Sequence, residues 1–227
     1  MSTLNKLNLG IAGACGRGAS FKEACAALGQ VAIHAVCDTN AEALPAARER
    51  LGAREQYTDY AEMLAKSELD AVIIGTPMHL HVPMAVAALE RNLHVLSEVT
   101  AGVSVAECQA LVAACKKSSG IYMMAENYTY SRSNVMVREM VRCGLFGTPY
   151  YAEGEYIHEL KSLNEVTVWR RKWQTGVNGI TYGTHSLGPI LQWMPGDRVV
   201  SVSSVGSGHH YRDVRGVAYE NEDACLM

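Results

Sequence analysis

The 227 residues carry no surplus of positive charge: 20 Lys and Arg stand against 23 Asp and Glu, a formal net charge of −3. Without a basic field to hold a phosphate backbone, a dedicated DNA or RNA binder is excluded. Long apolar runs are missing too. The richest, AVIIG at 71–75, falls far short of the roughly 20 residues that cross a bilayer. The start, MSTLNKLNLG, lacks the apolar stretch and small-residue cleavage site of a secretory signal. No CxxC pair occurs among the seven cysteines, an odd number whose neighbours are mostly Ala, Val and Leu. That usage suits reduced thiols packed as small apolar residues. The length is long for one compact domain and comfortable for two small ones. A cytoplasmic, globular α/β protein is what these exclusions leave.

The first half alternates strand and helix signals. LNLGIAGA (7–14) reads as a buried strand, FKEACAALG (21–29) as a helix, VAIHAVCD (31–38) as a strand and NAEALPAARERLG (40–52) as a helix. A third strand, DAVIIGTP (70–77), is followed by the helix VPMAVAALERN (82–92) and the strand HVLSEV (94–99). The helix SVAECQALVAACKKSSG (104–120) and the strand IYMMAE (121–126) close the series. Continuous rather than alternating apolar strands, separated by amphipathic helices, indicate a doubly wound parallel sheet covered on both faces.

Beyond residue 126 the pattern changes. SNVMVREMVRCGLFG (133–147) reads as a helix, and TPYYAEGEYIHEL (148–160) alternates as a one-faced strand does. A loop rich in Trp, Arg and Gly precedes a helix-like HSLGPILQWM (185–194) and a strand-like VVSVSSVGSG (199–208). The expected organisation is therefore a nucleotide-binding domain over 1–126 and an α+β domain with an open, mostly antiparallel sheet over 127–227. The chain stops at ENEDACLM, inside what reads as a strand just beginning, so the second domain is expected to be incomplete.

The turn after the first strand is GIAGACGRG, residues 10–18. Glycine there permits positive φ and lets backbone amides approach a pyrophosphate. The GxGxxG pattern would run from Gly13 to Gly18, but Cys15 replaces its middle glycine. Asp38 ends the second strand, where an acidic side chain accepts hydrogen bonds from the adenosine ribose and repels a 2′-phosphate. NAD is favoured over NADP. TPMHLH (76–81) and SEV (97–99) fall at the carboxyl ends of the next two strands, where open α/β sheets build their ligand crevice. No carboxylate or cysteine lies at ligand spacing beside the two histidines, so no metal is expected.

Taken together, the GIAGACGRG turn, the CD ending strand two, TPMHLH and Glu98 resemble the Gfo/Idh/MocA family over essentially the whole chain. The resemblance implies an N-terminal Rossmann domain that binds NAD(P), and a C-terminal α+β domain that supplies the substrate pocket and often a homo-oligomer interface. Carried over by position, it implies cofactor contacts from Gly13, Cys15, Gly16, Arg17, Asp38, Thr76, Met78, His79, Leu80, His81, Glu98, Val99 and Asn127. Two departures stand out. Family dehydrogenases usually carry Glu-Lys-Pro where this chain has Glu98, Val99 and Thr100, and often an aspartate where it has Thr181.

EGEYIHEL (153–160), WRRKW (169–173) and YGTHSLGP (182–189) are similar to the NAD-dependent glycoside hydrolases acting on N-acetylgalactosaminides, a branch that also lacks the lysine. That similarity implies Tyr156 and His185 as catalytic groups, with Arg170, Tyr182 and Thr184 holding substrate. The chemistry is consistent. Oxidising a sugar hydroxyl needs a base at the O–H while nicotinamide takes the hydride, and a histidine of reference pKa about 6.5 suits that role. A ketone at C3 would acidify the C2 proton for removal by Tyr156, leading to elimination and hydrolysis. Three readings stay open: an NAD-dependent oxidoreductase acting on a sugar or cyclitol hydroxyl, a redox-neutral NAD-dependent glycosidase, and a catalytically idle NAD-binding regulatory protein.

Overall fold

A computed structural model describes residues 6–158, 166–167, 169, 182–212, 215–216 and 225–226. The chain divides into two compact units, Met1–Ala125 and Glu126–Met227.

The first unit is built on six parallel strands: β1 (Leu7–Ala12), β2 (Val31–Cys37), β3 (Glu55–Tyr57), β4 (Ala71–Ile74), β5 (His94–Ser97) and β6 (Tyr122–Met124). They lie in the order β3-β2-β1-β4-β5-β6. That is the strand order of a Rossmann domain, with its reversal point between β1 and β4. The connecting helices are α1 (Lys22–Leu28), α2 (Leu44–Leu51), α3 (Tyr60–Lys66), α4 (His81–Leu89) and α5 (Val105–Lys117).

Successive strand residues point to opposite faces, so each strand feeds two cores. Val72 and Ile74 join Met63, Val82, Ala85, Leu89 and Leu111 on one side. Ile73 joins Leu9, Ile11, Val36, Leu44 and Leu51 on the other. Both faces are covered, which is why the strands read as unbroken apolar runs.

β3 and α3 were absent from the sequence reading. Three residues with only half-buried ends, EQY, carry too little apolar signal to stand out. α3 does have a local signature: Asp59 accepts a hydrogen bond from Glu62 N–H at 2.7 Å, closing its first turn. Ser104 and Glu107 do the same for α5 at 3.2 Å.

In the second unit, α6 spans Arg132–Arg142 and α7 spans Thr184–Trp193. Trp193 Nε1 donates to Asn134 O at 3.0 Å and ties the two together. α6 ends five residues before the expected 147, because Gly144 and Gly147 take positive φ values of 75° and 66° that unwind it. The strand expected over 199–208 is confined to β7 (Val205–Gly206), antiparallel to β8 (Cys225–Leu226). The alternating segment expected as a strand over 148–160 has no ladder over its described part, 148–158. Alternation prepares a face, but a strand exists only where a neighbour exchanges N–H and C=O groups with it. Residues 159–160 and most of the Trp- and Arg-rich loop lie outside the described residues.

Candidate active site

The nucleotide-binding features of the first unit collect at the carboxyl ends of β1, β2, β4 and β5. β1 runs into Gly13, which sits at φ +79°, and a Cβ there would stand 2.3 Å from Gly75 O. A Cβ on Gly75 would in turn lie 2.5 Å from Gly18 N. The turn after β1 and the end of β4 thus press backbone against backbone at the reversal point. Gly16 is different: it is exposed, and nothing lies within 4 Å of where its Cβ would be.

Asp38 follows the last residue of β2. Its Oδ2 accepts the Cys15 N–H at 2.8 Å and its Oδ1 accepts the Asn40 N–H at 3.0 Å. Two backbone donors therefore hold the carboxylate against the glycine turn. The Cys15 thiol is pushed above its ordinary value of 9.0 by burial and then by the Asp38 charge and hydrogen bond, with Arg50 opposing. Arg50 reaches back from α2 to donate to Ala14 O at 3.3 Å, a cation at the turn that linear spacing does not reveal.

After β4, Thr76 is half-buried, Met78 and His81 are buried and Leu80 is exposed. His81 Nδ1 lies 2.7 Å from Thr100 O and its Nε2 lies 2.9 Å from Thr76 O. Each ring nitrogen faces a backbone carbonyl, so His81 bridges the loop after β4 and the loop after β5. His79 Nδ1 is buried with no hydrogen-bond partner among the described residues. After β5, Glu98 is buried and its Oε1 accepts from Arg17 Nε at 2.6 Å, while Arg17 itself is largely exposed. Val99 beside it is buried. A positive-φ glycine, a close backbone approach, an acid held at the end of β2 and an unsatisfied ring nitrogen together fit a dinucleotide.

The second unit gathers a different cluster. Glu126 and His185 are each only 6% exposed. His185 Nδ1 lies 2.7 Å from Glu126 Oε1 and 2.8 Å from Oε2. The Tyr128 N–H donates to Oε1 at 2.8 Å. Three tyrosine rings surround the imidazole: Tyr128 stacked at 4.6 Å, Tyr182 stacked at 5.3 Å and Tyr156 tilted at 4.5 Å. Thr184 Oγ1, in the first turn of α7, is buried without a partner among the described residues. Of the residues singled out from sequence, the structure brings Tyr156, Tyr182, Thr184 and His185 to one place. Asn127 is exposed, and Arg170 lies outside the described residues.

Glu126 was missed. It occupies the carboxyl end of the run IYMMAE, the same kind of position as Asp38 and Glu98, and that was the signal available.

The family model described as the oxidoreductase family with an NAD-binding Rossmann fold, Gfo/Idh/MocA, matches residues 7–126, more than half of the chain. The chain belongs to the Gfo/Idh/MocA oxidoreductase family. A second model, the C-terminal domain of glycosyl hydrolase 109, matches residues 130–218. Among curated relatives, an alpha-N-acetylgalactosaminidase from Shewanella oneidensis is 36% identical over 218 residues, covering 88% of this chain and 48% of the relative. A glycosyl hydrolase family 109 protein from Saccharopolyspora erythraea is 35% identical with the same coverage. The chain thus spans about half the length of the curated relatives it matches. Among solved structures, the WlbA dehydrogenase of Bordetella pertussis, in complex with NADH and UDP-GlcNAcA, superposes with a TM-score of 0.79. It is 26% identical, over 97% of this chain and 62% of that one. The myo-inositol 2-dehydrogenase of Lactobacillus plantarum, 21% identical over 83% of this chain and 56% of that one, shares the fold with a TM-score of 0.74. Among the described residues of this Gfo/Idh/MocA chain, no helix is long and apolar enough to cross a membrane.

Proposed function

We propose that the chain oxidises a hydroxyl of a carbohydrate or cyclitol, with NAD held by the first unit and His185 of the second acting as base. The observation that carries this reading is the imidazole of His185, buried among Tyr128, Tyr156 and Tyr182 and, among the described residues, hydrogen-bonded through Nδ1 alone. NAD, when bound, supplies a hydride acceptor. Gly13, Cys15 and Gly16 would hold its pyrophosphate and Asp38 its ribose, with Thr76, His79 and Glu98 along the remaining strand ends. His185 takes the hydroxyl proton at Nε2. Tyr182 and the unsatisfied hydroxyl of Thr184 hold the sugar, with Arg170 expected to join them.

A second reading is supported by the glycosyl hydrolase 109 match over 130–218 and by Tyr156 packed 4.5 Å from His185. In it the same oxidation opens a redox-neutral hydrolysis of an N-acetylgalactosaminide. Tyr156 removes the C2 proton, the C1 substituent leaves, and water addition and return of the hydride restore the sugar.

Cytoplasmic location and a homo-oligomer formed through the second unit belong to the same proposal. Cys15, Cys25, Cys37, Cys108, Cys115 and Cys143 are free thiols, and Val199, Val200, Val202 and Val205 are exposed.

Incubation with NAD and candidate sugars or aryl N-acetylgalactosaminides separates the readings. Net NADH accumulates in the first, and aglycone is released without it in the second. Replacing His185 with Asn should lower turnover by about 10²- to 10⁴-fold while NAD affinity stays. Near wild-type turnover in that variant overturns the assignment of the base. Cofactor binding without either activity would leave an NAD-binding regulatory protein.

A further inference from the structure

We infer that Glu126 is a positioning residue: it holds His185 in the tautomer whose Nε2 is bare, an inference that rests on His185 being the base. An ionised carboxylate can only accept, and both oxygens of Glu126 lie within 2.8 Å of Nδ1. Nδ1 therefore carries the hydrogen. In a neutral imidazole the other nitrogen is then the acceptor, and a base needs its lone pair on the nitrogen that meets the substrate. The Tyr128 N–H anchors Oε1 from a third direction, so the carboxylate is oriented before any substrate arrives. With both residues only 6% exposed, water has little access to replace the carboxylate.

The neighbouring sequence is shaped around this contact. Gly188 lies three positions after His185, on the same face of α7. A Cβ there would sit 3.0 Å from Glu126 Cγ and 2.5 Å from Thr129 Oγ1. The missing side chain leaves room for Thr129 Oγ1 and for the Glu126 stem beside it, while the carboxyl carbon lies 3.8 Å away. In sequence, the position four before His185 is Thr181 rather than a carboxylate. The partner comes instead from 59 positions upstream.

The test reads the proton directly. In the full chain labelled with ¹⁵N-histidine, ring correlations are recorded at neutral pH, and His185→Asn identifies the His185 signals by their loss. The wild type should show a protonated Nδ1 and a bare Nε2. Glu126→Gln places an amide opposite Nδ1, so the proton should shift toward Nε2. Turnover should fall by about 10²- to 10⁴-fold with NAD affinity unchanged, the scale seen when a catalytic histidine is held in the wrong tautomer. Glu126→Ala removes the acceptor altogether and should free the proton from Nδ1 in the same way. A wild-type ring protonated at Nε2, or an unchanged tautomer in these variants, overturns the inference. If His185→Asn keeps its turnover while the tautomer responds to Glu126, the reading of the reaction fails and the positioning stands.

Discussion

Replacing Gly13 with Ala tests the nucleotide cradle most directly. Two costs are expected there. An alanine at φ +79° occupies the left-handed region, worth about 1–2 kcal/mol against an L-residue. Its Cβ would also stand 2.3 Å from Gly75 O and 2.7 Å from Gly75 C, which is backbone and cannot rotate away. Overpacking of that kind costs about 1–3 kcal/mol more. The sum, about 2–5 kcal/mol, is a large part of the 5–15 kcal/mol that typically holds a domain together. Gly52→Ala supplies the control: its φ is +68°, but nothing lies within 4 Å of the added carbon, so only the conformational cost remains. Denaturant unfolding of the two variants beside the wild type isolates the contact as a difference. NAD titration by fluorescence should show Gly13→Ala weakened and Gly52→Ala unaffected. Equal destabilisation of the two variants would refute the close approach of β1 and β4 as drawn here.

Asp38→Ala removes an acceptor held ready by two backbone amides. NAD affinity should fall by about 10- to 100-fold, the worth of one charged hydrogen bond, while discrimination against NADP relaxes; calorimetric titration with both cofactors checks it, and unchanged ratios would count against that placement. Cys15 should be alkylated more slowly once NAD is bound. Because burial and Asp38 raise its thiol above 9.0, its alkylation rate should keep climbing with pH beyond that point. Mass-spectrometric rates that ignore NAD would remove Cys15 from the cradle.

Much of the first unit was legible because its strands are buried on both faces and so advertise themselves as apolar runs. β3 escaped because an edge strand of three residues needs no such run, and α3 because its Asp59–Glu62 cap was passed over. Contacts that depend on folding rather than spacing were invisible: Arg50 at the glycine turn lies 36 positions from Ala14, and Glu126 lies 59 from His185. Residues 148–158 and 199–204 show the converse failure. Their alternation is real, but pairing requires a second strand, and alternation says nothing of where that strand is.

The position of β1 between β2 and β4 also sets an order of events during synthesis. Leu7 opens β1 and Ala71 opens β4, so at roughly 5–20 residues per second the first strand leaves the ribosome roughly 3–13 s before its second neighbour. For that interval the nascent chain can zip β1 only to β2, and one edge of the strand stays open. The turn at Gly13 is made early, yet it has nothing to press against until Gly75 emerges. The dinucleotide cradle therefore closes only when Gly75, 62 residues after Gly13, has been made.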